Sequence, residues 1–212
     1  MSATERQLTK KGEKRRQELL DAALELFGST GYHATTIDQI AAAADTGKGT
    51  VYWYWKSKEE IFAELVRLKF EAYTDALNRA VAMQVSAPEK LLLLLTEVSR
   101  LMEKYRQFCK LIFMVLADRR DRFGEDIHQS VNRYYEQFHG IIRDIVQQGQ
   151  SEGSLRPQAD AAAVATLMIA VIDGIIMQEA LSGEALSMEH LGVTLLGIFR
   201  QGLYQQSSIK ID

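Results

Sequence analysis

Cysteine is almost absent from this sequence: Cys109 stands alone in 212 residues, so no internal disulfide can form and a stapled, secreted domain is excluded. Proline is nearly as scarce, with Pro88 and Pro157 only. Sheet-rich chains of this length spend more Pro and Gly on frequent turns, so an all-α protein is expected. The histidines, His33, His128, His139 and His190, lack metal-ligand spacing, and neither a metal nor a cofactor is expected. No long hydrophobic run is present: residues 161–177 stop short of the roughly 20 residues that a bilayer span needs and include Asp173, so no membrane partner is expected. The N-terminus is polar rather than basic and then apolar, which argues against a secretory leader and for a cytoplasmic location. With 47% hydrophobic and 25% charged residues, the composition is that of a folded globular chain.

A net charge of −3 argues against a general polyanion binder, but the charge is unevenly spread. Residues 1–58 carry nine Lys/Arg against seven Asp/Glu, whereas the remainder carries sixteen against twenty-one. Arg6, Lys10, Lys11, Lys14, Arg15 and Arg16 face only Glu13 within their segment, a basic N-terminal arm that can neutralise phosphates or simply be a solvated tail.

Hydrophobic spacing gives the coarse organisation. Leu19, Leu20, Ala23, Leu24 and Phe27 recur at three and four, which predicts an amphipathic helix over residues 12–29 closed by Gly28 and Gly31. Thr35 and Thr36 can cap a short second helix, and Thr36 with Gln39 fits a capping box ahead of Ile37 and Ile40. Asp45-Thr46-Gly47 breaks that helix, residues 48–55 form a third, and a long fourth runs from Lys58 through Ile61 and Leu65 toward Leu77. Further helical patterns cover residues 91–102, 108–116, 131–149, 158–181 and 188–204, with an exposed charged loop at 118–126. About nine helices result: an N-terminal unit over residues 1–60 and a larger helical body over 61–212, continuous through the fourth helix.

The second and third helices have helix-turn-helix geometry. Such a unit needs a tight turn, an alanine where the helices approach and an apolar residue facing back, which Asp45-Thr46-Gly47, Ala41 and Val51 supply. Lys48, Gly49 and Thr50 then stand at the start of the second helix, where base edges are met. Lysine can donate to guanine, the threonine methyl can touch thymine, and glycine permits close approach. Tyr52, Tyr54 and Lys58 follow on spacings that reach flanking phosphates. Trp53 is a further contact candidate, whereas Trp55 reads better as core. A capped helix start is also a phosphate site, so Thr35 and Thr36 can serve both ends.

The string Ala23-x3-Phe27-x3-Gly31-x3-Thr35-Thr36-x3-Ile40-Ala41, followed by Lys48-Gly49-Thr50-Val51-Tyr52-x2-Trp55-x2-Lys58-Glu59, resembles the DNA-binding domain of TetR/AcrR-type transcriptional regulators over residues 14–62. The resemblance implies a homodimeric, ligand-responsive repressor that dimerises through its last two helices. Three positions depart from the family pattern: Asp45 stands for the usual turn glycine, Thr46 for an apolar turn residue and Trp55 for phenylalanine. Aspartate tolerates the left-handed conformation, so the turn should survive.

In the body, Tyr73, Met102, Tyr105, Phe108, Phe113, Met114, Phe123, Tyr134, Tyr135, Phe138 and Met168 are available to line a pocket for a small hydrophobic or aromatic effector, although each could equally be core. Asp173 should meet an arginine, a helix end, water or ligand, with structural pairing favoured. Val164, Met168, Ile172 and Ile175, with the Leu191, Leu195 and Phe199 seam, are the expected four-helix dimer interface.

Other chemistries fail on spacing. The phosphate-loop pattern around Thr46-Gly47-Lys48-Gly49-Thr50 has Ala42 for its first glycine and Gly49 for the magnesium-binding hydroxyl. Cys109 with His139 could be imagined as nucleophile and base, but an isolated cysteine in an apolar helix reads as core, and no enzyme is expected. The competing reading is a small-molecule-binding helical protein whose DNA-binding unit is vestigial.

Overall fold

The computed structural model describes the backbone of residues 3–117, 125–184 and 186–204; the side chains of residues 3–9, 113–117, 125, 126, 188 and 189 lie outside that description. Among the described residues the chain forms nine α-helices: α1 (Ala3–Ser29), α2 (Ile37–Ala43), α3 (Lys48–Tyr54), α4 (Lys58–Val81), α5 (Ala87–Lys104), α6 (Arg106–Ala117), α7 (Glu125–Glu152), α8 (Ala161–Ser182) and α9 (Met188–Leu203). The all-α expectation holds, and the helix order follows the hydrophobic spacing. Two boundaries differ. α1 starts at Ala3, so the basic arm is helical, as its Gln, Lys, Glu and Arg content favours. Most of the expected 118–126 loop, Phe123 included, lies outside the described residues.

Local chemistry explains the short N-terminal elements. Thr36 caps α2: its hydroxyl accepts from the Gln39 amide at 3.3 Å, while the Gln39 side chain accepts from the Thr36 amide at 2.8 Å. Thr35 does not cap. It is buried, and its hydroxyl donates back to the carbonyls of Gly31 and Leu26 at 2.8 and 3.3 Å, closing the end of α1. Asp45 takes a left-handed φ of 50°, the conformation its turn position demands. The Arg15 guanidinium donates to the Ala44 carbonyl at 3.0 Å and so fastens that turn to α1.

α4 joins two packed regions. Its first half places Ile61, Phe62 and Leu65 in a core with Leu19, Phe27, Ile40 and Val51. There the Phe27, Tyr32 and Phe62 rings meet at centroid separations of 5.0–5.7 Å. Its second half packs against α5 and α7. α8 lies against α6 and α7, and α9 against α5. Asp160 caps α8 by accepting from the Ala162 and Ala163 amides, and Gly183 closes it at a φ of 73°.

At 22 residues α8 is long and apolar enough to cross a bilayer, contrary to the expectation that the apolar run is too short. Its setting is that of a core helix, since Val164, Ala165, Met168, Ile169, Ile172 and Ile176 are buried inside the chain and Glu179 is only 2% exposed. Arg106 pairs with that carboxylate and also donates to the Leu186 carbonyl at 3.2 Å, while the Leu186 amide donates to Glu179 at 2.7 Å. One carboxylate thereby ties α6, α8 and the connection to α9 together.

Substitutions at two positions test this packing by chemical denaturation. Asp45→Val places a β-branched residue at a left-handed φ and should lower stability by about 1–3 kcal/mol, whereas Asp45→Gly should not destabilise. Gly149→Ala brings a methyl within 2.6 Å of the buried Leu155 side chain and 2.9 Å of the Ala87 Cβ, and should cost about 1–3 kcal/mol.

Candidate nucleic-acid interface and effector cavity

Val51, fully buried, anchors α3 against the N-terminal core and thereby fixes which face points outward. On that outward side Lys48, Gly49, Tyr52 and Trp53 are exposed, with Trp53 at 76%. Open space surrounds Gly49, consistent with a position where another molecule's backbone could come close. The Lys48 ammonium donates to Asp38 on α2 at 2.9 Å and lies 5.9 Å from the Tyr52 ring centroid. The hydrogen bond to Asp38, and then that carboxylate's field, hold the Lys48 pKa above the ordinary lysine value.

The other expected contact residues are engaged inside the unit. The Thr50 hydroxyl accepts from Thr46 at 3.0 Å, and the Tyr54 hydroxyl donates to the Gly12 carbonyl at 2.9 Å, pinning α3 to α1. Lys58 donates to the carbonyls of Tyr32, Thr35 and His33 at 2.7, 2.9 and 3.3 Å and sits 4.4 Å from the Tyr32 ring centroid. These contacts gather the loop between α1 and α2. Trp55 is core at 4% exposure: its indole N–H donates to Glu64, which also pairs with Arg16, and the Arg16 guanidinium lies over the indole. The surface expected from sequence therefore comes together as Thr36, Lys48, Gly49, Tyr52 and Trp53, supported from behind by Thr35, Thr50, Tyr54 and Lys58.

In the body, α4, α5, α6, α7 and α8 enclose a cavity of about 80 Å³. Of the expected lining residues, Tyr73, Met102, Phe108, Tyr134, Tyr135 and Phe138 face it. Tyr105 packs on Tyr73 at 5.2 Å without lining the cavity, and Met168 is buried elsewhere. The side chains of Phe113 and Met114 lie outside the described residues. Sequence reading missed Phe70, Cys109, Ile169 and Ile176, and assigned Ile172 to the dimer interface. The signal was available in part: Ile169, Ile172, Asp173 and Ile176 follow a three-four-seven spacing along α8.

The polar groups of the cavity are few. Tyr73 and Cys109 share a contact of 3.7 Å, and the Tyr135 hydroxyl donates to Asp173 at 2.8 Å. Asp173 thus meets a tyrosine rather than the arginine considered from sequence. Burial pushes the Asp173 carboxyl up, while the Tyr135 hydrogen bond and the field of His139 oppose that shift. Burial also raises the Cys109 thiol to about 11, which makes it a poor nucleophile, and raises the Tyr73, Tyr134 and Tyr135 phenols.

The expected dimer surface needs correction. Val164, Met168 and Ile172 are 7%, 1% and 8% exposed because α6 and α7 already cover that face of α8. Ile175, Leu191, Leu195 and Phe199 are half-buried. The uncovered apolar residues are instead Leu167, Val171, Met177 and Leu181 on α8 and Val193 and Ile198 on α9. A helix that is apolar all round carries no periodic signal for which face turns outward.

Cavity and N-terminal unit are mechanically connected. α4 contributes Phe70, Tyr73 and Leu77 to the cavity and Ile61, Phe62 and Leu65 to the N-terminal core. α6 contributes Phe108, Cys109 and Ile112, and its neighbouring Gln107 abuts α1, where a Cβ on Gly28 would lie 3.6 Å from that of Gln107.

Comparison with known proteins agrees with this two-part architecture. Residues 19–65 match the family described as bacterial regulatory proteins of the tetR family, and residues 89–195 match the C-terminal domain of BetI-type transcriptional repressors. A fatty acid metabolism regulator protein of Bacillus subtilis is 23% identical over 156 residues, covering 74% of this chain and 78% of the relative. The solved structure of a transcriptional regulator FadR from Bacillus subtilis in complex with stearoyl-CoA superposes with a TM-score of 0.75 at 21% identity, covering 88% of this chain and 98% of that one. A regulator from Saccharomonospora viridis in complex with choline gives 0.77 at 22% identity, covering 92% and 100%. Matched across both its N-terminal unit and its helical body, the chain belongs to the TetR family of ligand-responsive bacterial transcriptional regulators.

Proposed function

We propose that the protein is a dimeric repressor that places one α3 helix from each protomer in successive major grooves of a near-palindromic operator, about 34 Å apart, and lets go when a small hydrophobic or aromatic effector fills the body cavity. The observation that carries this reading is the exposed Lys48, Gly49 and Tyr52 face of α3 on a helix whose opposite side is locked by Val51. The uncovered apolar residues of α8 and α9 support a second copy of the chain as the dimer partner. Such a regulator works in the cytoplasm, on chromosomal DNA.

The cavity supports release by effector. About 80 Å³ is too little for a drug-sized ligand, so occupancy requires the surrounding rings to move. A ligand shifts an equilibrium only through differential affinity for two shapes, and a cavity that must widen to admit it supplies that difference. α4 and α6 both carry rings of this cavity and both also contact α1 in the DNA-binding unit. A tilt of either helix changes the separation of the paired α3 helices, and a mismatch of a few ångströms loses phosphate and base contacts at one half-site.

Purified protein incubated with sheared genomic DNA at near-physiological salt should retain one or a few palindromic sequences. No enrichment by folded, dimeric protein would favour the vestigial reading. On the operator so obtained, Lys48→Ala should weaken binding by about ten- to a hundredfold and relax base preference, read by fluorescence anisotropy against operator variants. Asp38→Asn should strengthen binding to all sequences by a few-fold, because it frees the Lys48 ammonium and removes a carboxylate facing phosphate.

A further inference from the structure

Among the described residues, one side chain lining the cavity is a carboxylate, and none is a lysine or an arginine. Asp173 projects from the middle of α8 into a wall built from the rings of Phe70, Tyr73, Tyr134, Tyr135 and Phe138. Those rings form one connected group: Phe70 stacks on Tyr134 at 4.5 Å, and Tyr134 touches Tyr73, Tyr135 and Phe138 at 5.6–6.4 Å. Aromatic faces attract a cation, and an ammonium that reaches them out of water also gains from a carboxylate alongside. An anion entering the same space would meet a like charge and, among the described lining residues, no lysine or arginine.

We propose that the effector is an amphiphile with an aromatic or alkyl body and a single positive centre, a quaternary ammonium or protonated amine, seated between Asp173 and the Tyr134 and Tyr135 rings. The assignment rests on the effector-cavity reading above and deepens it by naming the ligand class. The carboxylate accepts from the Tyr135 hydroxyl at 2.8 Å, and His139, one helical turn further along α7, adds its field. Cation entry supplies a countercharge in direct contact with the carboxylate. It also pulls α7 and α8 onto the ligand, while its apolar body displaces the rings of α4 and α6.

The test is isothermal titration with three probes of similar shape: phenethyltrimethylammonium, its uncharged neohexylbenzene isostere, and phenylbutanoate. The ammonium should bind at least about tenfold more tightly than the uncharged isostere, and phenylbutanoate most weakly. Asp173→Asn should abolish the preference, read as the ratio of charged to uncharged probe affinity, and Asp173→Glu should restore much of it. Tyr135→Phe, which keeps the charge and removes its hydrogen bond, should retain the preference and serves if the asparagine variant does not fold. Equal binding of charged and uncharged probes, or a preference that survives Asp173→Asn, would overturn the assignment while leaving the cavity as the effector site. Absence of binding by all three would count against the cavity reading itself.

Discussion

Ile61, Phe62 and Leu65 lie in the N-terminal core, while Phe70, Tyr73 and Leu77 wall the cavity, and all six belong to the single uninterrupted helix α4. That continuity is the constraint on which the rest of the molecule depends. A helix has little give along its axis, so a shift at one end is delivered at the other instead of being absorbed in a linker. The aromatic meeting of Phe27, Tyr32 and Phe62 fixes α4 to the DNA-binding unit, and the stacking of Phe70 on Tyr134 fixes it to the body. The α6–α1 contact through Gln107 and Gly28 provides a second, shorter connection.

Electrostatics is arranged differently at the two ends. On α3 the charges are solvated, and the Lys48–Asp38 pair is exposed on both sides, so it can open without a large desolvation term. Inside the body, two carboxylates of α8 are withdrawn from solvent to different degrees. Glu179 has Arg106 and the Leu186 amide as partners and acts as a structural tie, whereas Asp173 has a tyrosine hydroxyl and faces the cavity. The two carboxylates lie on the same helix, less than two turns apart: Glu179 has a direct ion pair, whereas Asp173 has a hydroxyl partner and the field of His139.

How much of this was legible in the sequence depends on how local each determinant is. The Thr36–Gln39 box, the turn at Asp45 and the inward Val51 are set within a few residues, and the structure follows the sequence reading at each. Lys58 and Tyr54 were read as outward because their spacing allows it; their carbonyl partners are 23–26 and 42 residues away, beyond any local pattern. The phase of α8 was only partly legible, since Asp173 with Ile169, Ile172 and Ile176 marks one face but the Ala, Val, Ile, Leu and Met around the rest do not say which side meets a neighbour. Five of the six cavity residues found from sequence are aromatic, a type rare enough to single out, and the sixth is Met102, while the isoleucines beside them look like any core.

The most direct test of the coupling between cavity and α3 is the operator affinity of Ile172→Phe, which crowds the cavity from α8 without touching the DNA-binding unit. If occupancy is transmitted through α4 and α6, the folded variant should bind the operator about tenfold or more weakly than the parent, mimicking the effector. Unchanged affinity in a variant whose melting and dimerisation match those of the parent would contradict the account.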